Sequence, residues 1–509
     1  MRVFSFFVND LSPAPITIEY SARFQIPGFQ ILGLPSPEIQ EARDRITSAF
    51  QASGLEFPKK RVLINLAPAS VRKSGTGHDL AIALKILSEI IQIPSASSTV
   101  IARGELGLDG SIRPSGRMGN LVELLLTHGD RMSDLTLILC PEDCLELERL
   151  LQWRRSNHMQ NPEPYRLIQV DHLRNLLVRL RGDESHPSNE SIEWEPSKNS
   201  VLGLLPLNPL QERILKIASI GRHHTLLLGP KGVGKSSSLD WFRALAAPSR
   251  PEAAWERALY QESRNEIPRF EPPIRQVHSN VRPAHLLGSF HSGAFRAGEL
   301  SLAHGGMLFA DEFPEWPRDS KECLREPLQS ETFQLTSVRG TFQAKCDLQL
   351  IGTGNLCPCG GFPLRFRAKG YAGGTTCRCS ELEVRKYLTR LSGPILDRID
   401  LWGLLPEARS SDIGTCNSIE KIRTEVNAGR TLMLEAHGGE PSRIPPEKLE
   451  QLIPESPRVK RTLNQTESHR DRHKLIRIAC SIAALENRES PTESHFQEAR
   501  GYRLQERWT

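Results

Sequence analysis

A chain of 509 residues has room for roughly two to four domains, each with its own core. With 38% hydrophobic and 25% charged residues it reads as globular, and a net charge of +5 is too slight to mark a polyanion binder from composition alone. No run approaches the roughly 18 apolar residues of a membrane span, and the opening MRVFSFFVND lacks a signal peptide's h-region and cleavage site, so a cytoplasmic enzyme with no membrane partner is expected.

Residues 1–181 alternate strand-like and helix-like segments. Ser36-Pro37-Glu38 opens a helix, with Ser36 as cap, proline at the first position and an acid in the first turn. Ile39, Ala42, Ile46 and Phe50 follow at helical spacing, and Gly54 stops them. The basic run Lys59-Lys60-Arg61 leads into a strand, Val62–Leu66, and together with Arg72-Lys73 predicts a basic surface here; short runs of this kind ordinarily only solubilise. A second helix, about Asp79–Ile90, is apolar on most sides and is expected to be buried. Residues 182–200 are polar and proline-containing, either a linker or a long surface loop within one domain.

A new domain opens at Asn208-Pro209, where Asn208 and Gln211 fit a capping box and Leu210, Ile214 and Ile217 form a buried stripe ended by Gly221. The apolar strand Thr225–Leu228 then runs into Gly229-Pro-Lys-Gly-Val-Gly-Lys-Ser236, a complete G-x-x-x-x-G-K-[ST] phosphate loop. Its glycines let consecutive N–H groups curl around phosphates, Lys235 neutralises the β/γ-phosphates of ATP, and the Ser236 hydroxyl can ligate Mg²⁺. Cofactor contacts are therefore expected from Gly229, Pro230, Lys231, Gly232, Val233, Gly234, Lys235, Ser236 and Ser237. Residues 247–275, rich in proline and charge, are expected to form an irregular insertion.

Gly306-Met-Leu-Phe-Ala-Asp311-Glu312 is a buried strand delivering two carboxylates at its C-terminal edge, where open α/β sheets bind ligands. Asp311 suits the Mg²⁺ shell and Glu312 the attacking water. Glu331–Asp347 reads as a hairpin with Arg339-Gly340 at its turn, and a further strand, Asp347–Gly352, reaches Asn355, which can orient water or sense the γ-phosphate; a plain loop asparagine is the alternative. Cys357-x-Cys359 and Cys377-x-Cys379, 17 residues apart, supply four thiolates suited to tetrahedral Zn²⁺, with four packed, reduced cysteines as the alternative. From about residue 420 the pattern is helical, clearest over Ser468–Asn487. Arg458–Arg477 carries seven Lys/Arg against two acids, with Arg470, Lys474 and Arg477 on one face, either a nucleic-acid contact or a solvated surface.

These motifs, with Gly298–Trp316, Asn355-Leu-Cys-Pro-Cys-Gly360, Ser392-Gly-Pro-Ile-Leu-Asp-Arg-Ile-Asp400, Gly33-Leu-Pro35, Glu41–Arg45, Asn65–Pro68 and Gly104–Gly110, resemble the competence-protein M family, the YifB-type magnesium chelatase-like AAA+ proteins. The resemblance spans nearly the whole chain. It implies an α/β architecture in three parts: a Lon-protease-like (ribosomal S5 domain 2-like) α+β domain over 1–181, an AAA+ core over 201–405 beyond a 182–200 linker, and a helical lid over 406–509. It further implies a homo-oligomer, a hexameric ring of the helix-2-insert clade, some members being similar to helicases that drive branch migration. Asn355 takes the sensor-1 position, Arg398 that of an arginine finger reaching the neighbouring subunit's ATP, and Arg470 that of sensor 2. In such a ring the hairpin points into the channel, making Arg339 and Lys345 candidates for sequence-independent DNA contacts.

The chain departs from the family at Pro230–Gly234, where Pro-Pro-Gly-Thr-Gly is usual, at Arg282-Pro-Ala-His285, and at Leu356, which replaces a proline. At the positions expected for a Lon-type Ser/Lys dyad it has Asp79 and Gly119, and a carboxylate cannot serve as that nucleophile, so no peptidase is expected. The leading expectation is a DNA-stimulated ATPase acting on single-stranded or branched DNA. A metal-chelatase-like motor or protein remodeller is the alternative, and a nucleotide-gated scaffold with little turnover is a third.

Overall fold

The structure, a computed structural model, describes residues 1–9, 11–73, 75–91, 99–129, 132, 134–181, 204, 206–291, 294–337, 340–361, 377–390, 393–405, 418–466 and 468–503. The linker segment 182–200 and Arg339 lie outside these residues.

The N-terminal part is built on seven strands: β1 (Arg2–Asn9), β2 (Ser12–Arg23), β3 (Gly28–Leu32), β4 (Arg61–Ala67), β5 (Thr99–Ala102), β6 (Leu135–Leu139) and β7 (Arg166–Gln169). Their spatial order is β3-β4-β2-β1-β5-β6-β7. The β1–β2 and β2–β4 pairs are antiparallel and the others parallel. Val62, Ile64 and Leu66 alternate inward along β4, whereas every residue of β6 is buried, as expected of a strand covered on both faces. Helices Pro37–Ala52 and Asp79–Ile90 supply much of the covering layer, the second buried over most of its length as its sequence predicts.

Two local expectations fail here. Ser36 stands at the helix start, but its hydroxyl caps nothing; its backbone N–H bonds instead to the Lys73 carbonyl, and Pro37 sets the helix entry. Lys73 is not on a basic surface. It is buried, and its ammonium donates to the carbonyls of Gly33 and Pro68.

The second sheet is wholly parallel: β8 (Thr225–Leu228), β9 (Ile274–Val277), β10 (Gly306–Ala310), β11 (Leu348–Gly354) and β12 (Leu401–Leu404), in the order β9-β10-β11-β8-β12. β8, β10 and β11 are buried at every position; β8 and β10 are near-continuous apolar runs, whereas β11 also buries the polar Gln349 and Thr353. The Asn208 capping box forms as the sequence predicts and starts helix Pro209–Gly221. On that helix pack Ile419–His437 and His469–Leu485 of the C-terminal helical region, in one apolar cluster shared with the sheet.

Residues 247–275 are not irregular: Pro251–Ser263 is a helix, its proline at the permitted first position rather than acting as a breaker. Its apolar face docks on the N-terminal part. Trp153 stacks on Phe270 at 3.8 Å between centroids, the Trp255 indole N–H donates to Glu123, and Arg154 lies 4.3 Å from the Trp255 ring. The buried Glu262 carboxylate accepts from the backbone N–H of Gly119 (2.6 Å) and of Asn120 (3.0 Å), and from the Asn120 side-chain amide. Gly119, where a Lon-type lysine is expected, thus carries against it a carboxylate from a helix that belongs with the second sheet. Asp79 is also occupied, accepting from Arg45 at 2.8 and 3.1 Å.

The basic face of His469–Leu485 is turned inward in part. Lys474 is buried and donates to the carbonyls of Asp397 and Ile399, and Arg477 donates to that of Ile444. Lys474 and Arg477 therefore spend donors on the protein's own backbone, whereas Arg458, Lys460, Arg461 and Arg470 of the same run are exposed.

Candidate nucleotide site

Three parallel strands, β8, β10 and β11, end side by side, and each contributes one part of the site at its C-terminal end. The phosphate loop leaves β8 at Gly229, whose N–H donates to the Gly354 carbonyl; a Cβ there would lie 2.5 Å from the Leu405 carbonyl oxygen. Gly232 (φ +83°) and Gly234 (φ +81°) take the left-handed conformations the loop requires. The loop is also held from outside: Gln211, through its side-chain amide, donates to the Val233 carbonyl at 2.8 Å, while the same side chain completes the helix cap. Ser236 and Ser237 precede the short helix Ser238–Ala244.

Lys235 turns into the loop. Its ammonium donates to the carbonyls of Gly229 (2.8 Å) and Pro230 (2.5 Å) and to the Asn355 side-chain oxygen (3.2 Å). Burial lowers its pKa to about 8, while the nearby Asp311 and Glu312 carboxylates oppose the fall. Asp311 and Glu312 leave β10, Glu312 with φ +49°. Lys235, Asp311, Glu312 and Asn355 are therefore brought together.

Thr353 escaped the sequence reading. Buried on β11, its hydroxyl donates to Asp311 at 2.6 Å and accepts from the Glu312 N–H at 3.2 Å. The link depends on the β10–β11 register, in which Ala310 faces Gly352, and nothing in the local sequence advertises it. The Trp316 indole N–H donates to the Asp311 carbonyl, fixing the same turn from its other side.

Arg398 and Arg470 stand elsewhere. Arg398 donates to the carbonyls of Arg325 and Pro394 and to Gln329, and with Arg470 it lines a cavity of about 240 Å³ that no phosphate-loop residue borders. Lys345 is the last residue of the hairpin Thr332–Ser337/Gly340–Lys345, opposite Thr332 at its base, exposed but ion-paired with Glu256.

The four cysteines do converge. Their sulfurs lie within 4.8 Å of one another, with Cys357–Cys359 at 3.4 Å, Cys357–Cys377 at 3.6 Å and Cys359–Cys377 at 3.7 Å. A tetrahedral four-thiolate zinc site, with bonds of about 2.3 Å, places its sulfurs about 3.8 Å apart, so the donor set fits. Burial disfavours the Cys359 thiolate, but backbone N–H groups of Gly361 and Arg378, with the neighbouring thiols, bring its pKa down to about 6. This loop abuts the phosphate loop: the Lys231 N–H donates to the Gly360 carbonyl at 3.2 Å.

A phosphate loop on the first strand of a 2-3-4-1-5 parallel sheet, acids on the third, a polar residue after the fourth and a helical region behind define a P-loop ATPase of the AAA+ type. Comparison with known proteins narrows the class. Models of magnesium chelatase subunit ChlI match residues 208–413 and 18–135, and that of the ChlI C-terminal region matches 417–503. The uncharacterized protein YifB of Salmonella typhimurium is 29% identical over 511 residues, 97% of this chain and 95% of its own. The competence protein ComM of Haemophilus influenzae is 29% identical over 509 residues, 96% of this chain and 94% of its own. The chain is homologous to the magnesium chelatase ChlI, YifB and ComM proteins, an ATP-hydrolysing AAA+ family. Among the described residues, no helix is long and apolar enough to cross a membrane.

Proposed function

We propose that this protein is an ATP-driven motor that assembles as a ring, most simply a hexamer, and acts on single-stranded or branched DNA without sequence preference. The observation carrying the reading is the division of the site. Lys235, Asp311, Glu312 and Asn355 meet at one sheet edge, while Arg398 and Arg470 line a separate cavity. An arginine held apart in its own chain suits a finger supplied to the next subunit, where it stabilises charge on the transferred phosphoryl group. Closed symmetry then completes every site with one heterologous surface.

In this reading the loop N–H groups and Lys235 hold the β/γ-phosphates, while Ser236 and Asp311 hold Mg²⁺, which supplies charge neutralisation when bound. Glu312 polarises the attacking water, and Asn355, released from Lys235, orients it. Thr353 fixes both acids. Cys357, Cys359, Cys377 and Cys379 hold a structural Zn²⁺ that braces the loop touching Lys231. The N-terminal part, 1–181, is a scaffold or DNA-guiding module without peptidase activity, joined through 182–200 to the core (201–405) and lid (406–509).

The ComM relative, a competence protein, supports the DNA reading. That all three matching models are those of magnesium chelatase ChlI favours, as a second reading, a chelatase-like motor or protein remodeller. Titrating ATPase activity with single-stranded, duplex and four-way-junction DNA separates the two. Stimulation supports the DNA motor, whereas neither binding nor stimulation favours the remodeller.

A further inference from the structure

At the far edge of the N-terminal sheet, the connection from β2 to β3 projects two large apolar side chains into solvent. Phe24 and Ile26 are each 89% exposed. No other large apolar side chain among the described residues is as exposed, and two of them one residue apart on the same connection point to a surface that is covered when something binds.

The setting of these side chains is cationic. Arg23 faces Arg61 across the β2–β4 register, and Arg61 also lies beside Gly28 of β3. The Lys60 ammonium sits 4.0 Å from the Phe24 ring centroid, and Lys59 is exposed next to it. Among the described residues, none of Arg23, Lys59, Lys60 and Arg61 has an acidic ion-pair partner, whereas Arg45 in the same domain is paired with Asp79. Arg61 donates to the Gln25 side-chain oxygen at 3.4 Å.

Four like charges held together repel one another, so the tip favours a ligand that brings negative charge. The bare ring asks that the same ligand bring a planar apolar face. Single-stranded nucleic acid has both, phosphates at each step and bases between them. An anionic membrane also offers charge and an apolar interior, but one phenylalanine and one isoleucine bury little area for an interfacial anchor, which relies on a whole amphipathic face.

We propose that Arg23, Phe24, Ile26, Lys59, Lys60 and Arg61 form a binding site for single-stranded nucleic acid, with Phe24 stacking on a base and the cations meeting the flanking phosphates. The proposal rests on the DNA reading above and locates a site well outside the ATPase core. It also makes the N-terminal part a substrate-handling element.

The test uses the full-length protein and a fluorescein-labelled thymidine oligonucleotide, with anisotropy measured over a salt series. Phe24→Ala should weaken binding on the order of ten-fold with little change in salt slope, and Phe24→Trp should restore it. Lys59→Ala with Lys60→Ala should flatten the slope of log affinity against log salt by about one for each phosphate that the lysines no longer neutralise. Basal ATPase activity without DNA and the oligomeric state should match the parent protein in all variants. Parent-like affinity and slope in the variants, with the parent binding DNA, overturns this site and leaves the DNA reading standing. Failure of the parent to bind any oligonucleotide, duplex or junction removes the DNA reading itself, and this site with it. Two further results overturn the site: loss of assembly in Phe24→Ala, making the tip a subunit interface, or loss of binding to phosphatidylglycerol vesicles with oligonucleotide affinity unchanged.

Discussion

Replacing Thr353 by valine keeps the side chain's shape and deletes one hydroxyl, so it isolates the link between the two acids. That hydroxyl lies 2.6 Å from the Asp311 carboxylate and 3.2 Å from the Glu312 N–H. The fold should tolerate the loss. No cavity opens, the Glu312 N–H keeps its second acceptor on Asp311 at 3.1 Å, and the half-buried carboxylate can take a water in place of the hydroxyl. Turnover should not tolerate it equally, because a hydrogen bond to a charged group is worth about 1.5–3 kcal/mol, or roughly 10- to 150-fold in rate if it is needed only at the transition state. We expect Thr353→Val to lower kcat by about that range, raise the Mg²⁺ concentration needed for half-maximal activity, and leave ATP affinity without Mg²⁺ nearly unchanged; Thr353→Ser should recover most of the loss. Steady-state ATPase assays over a Mg²⁺ series, alongside thermal melting, make the measurement. Parent-like kcat and Mg²⁺ dependence in a folded Thr353→Val protein would refute the positioning role.

Lys235→Ala should abolish turnover by weakening nucleotide binding, while Glu312→Gln should bind ATP and fail to hydrolyse it; filter binding with labelled ATP distinguishes them, and equal affinity losses would reverse these assignments. Because Lys235 loses its proton near pH 8 in the nucleotide-free protein, against about 10.4 for a free lysine, ATP affinity should hold below pH 8 and decline as pH rises through it. Calorimetry should then show proton uptake on binding at pH 9, and a flat affinity from pH 6.5 to 9.5 counts against the electrostatic role. Arg398→Ala and Lys235→Ala, each inactive alone, should recover partial ATPase activity when mixed, since some interfaces pair an intact loop with an intact finger; persistent inactivity in mixtures shown to exchange subunits argues against shared sites. Elemental analysis should find about one zinc per chain, lost with destabilisation in Cys357→Ser, and zinc-free protein with unchanged melting of that variant leaves four packed thiols.

Much of the candidate site was legible because its chemistry is contiguous in sequence. The phosphate loop, the acids closing an apolar strand and the Asn208–Gln211 capping box each fit within a few residues, where spacing alone constrains geometry. Thr353 was not legible, since a threonine in a buried strand looks like any β-branched filler until the register sets it against Asp311. Helix Pro251–Ser263 was missed for a related reason. Its apolar side faces a different part of the chain, and the prolines around it read as breakers although Pro251 occupies the tolerated first position. Lys73 and Lys474 show the limit of reading charge as exposure: each ends on backbone carbonyls that only the tertiary fold brings within reach. The cysteine pairs announced their own convergence, but not that Gly360 between them holds Lys231 of the phosphate loop.

The docking of Pro251–Ser263 bears on how this protein can be taken apart. A fragment begun after residue 200 looks like a self-sufficient ATPase, with its sheet, its phosphate loop and its helical region intact. It would nevertheless lay Trp255, Ala258 and Phe270 open to water and strip Glu262 of the three donors it receives from Gly119 and Asn120. The complementary fragment would lose the cover over Trp153 and the carboxylate at the start of helix Met118–His128. A boundary drawn at residue 200 is therefore not a seam in the interior, and dissection should follow substitutions at Trp255 and Glu262 that make the exposed face tolerable to solvent.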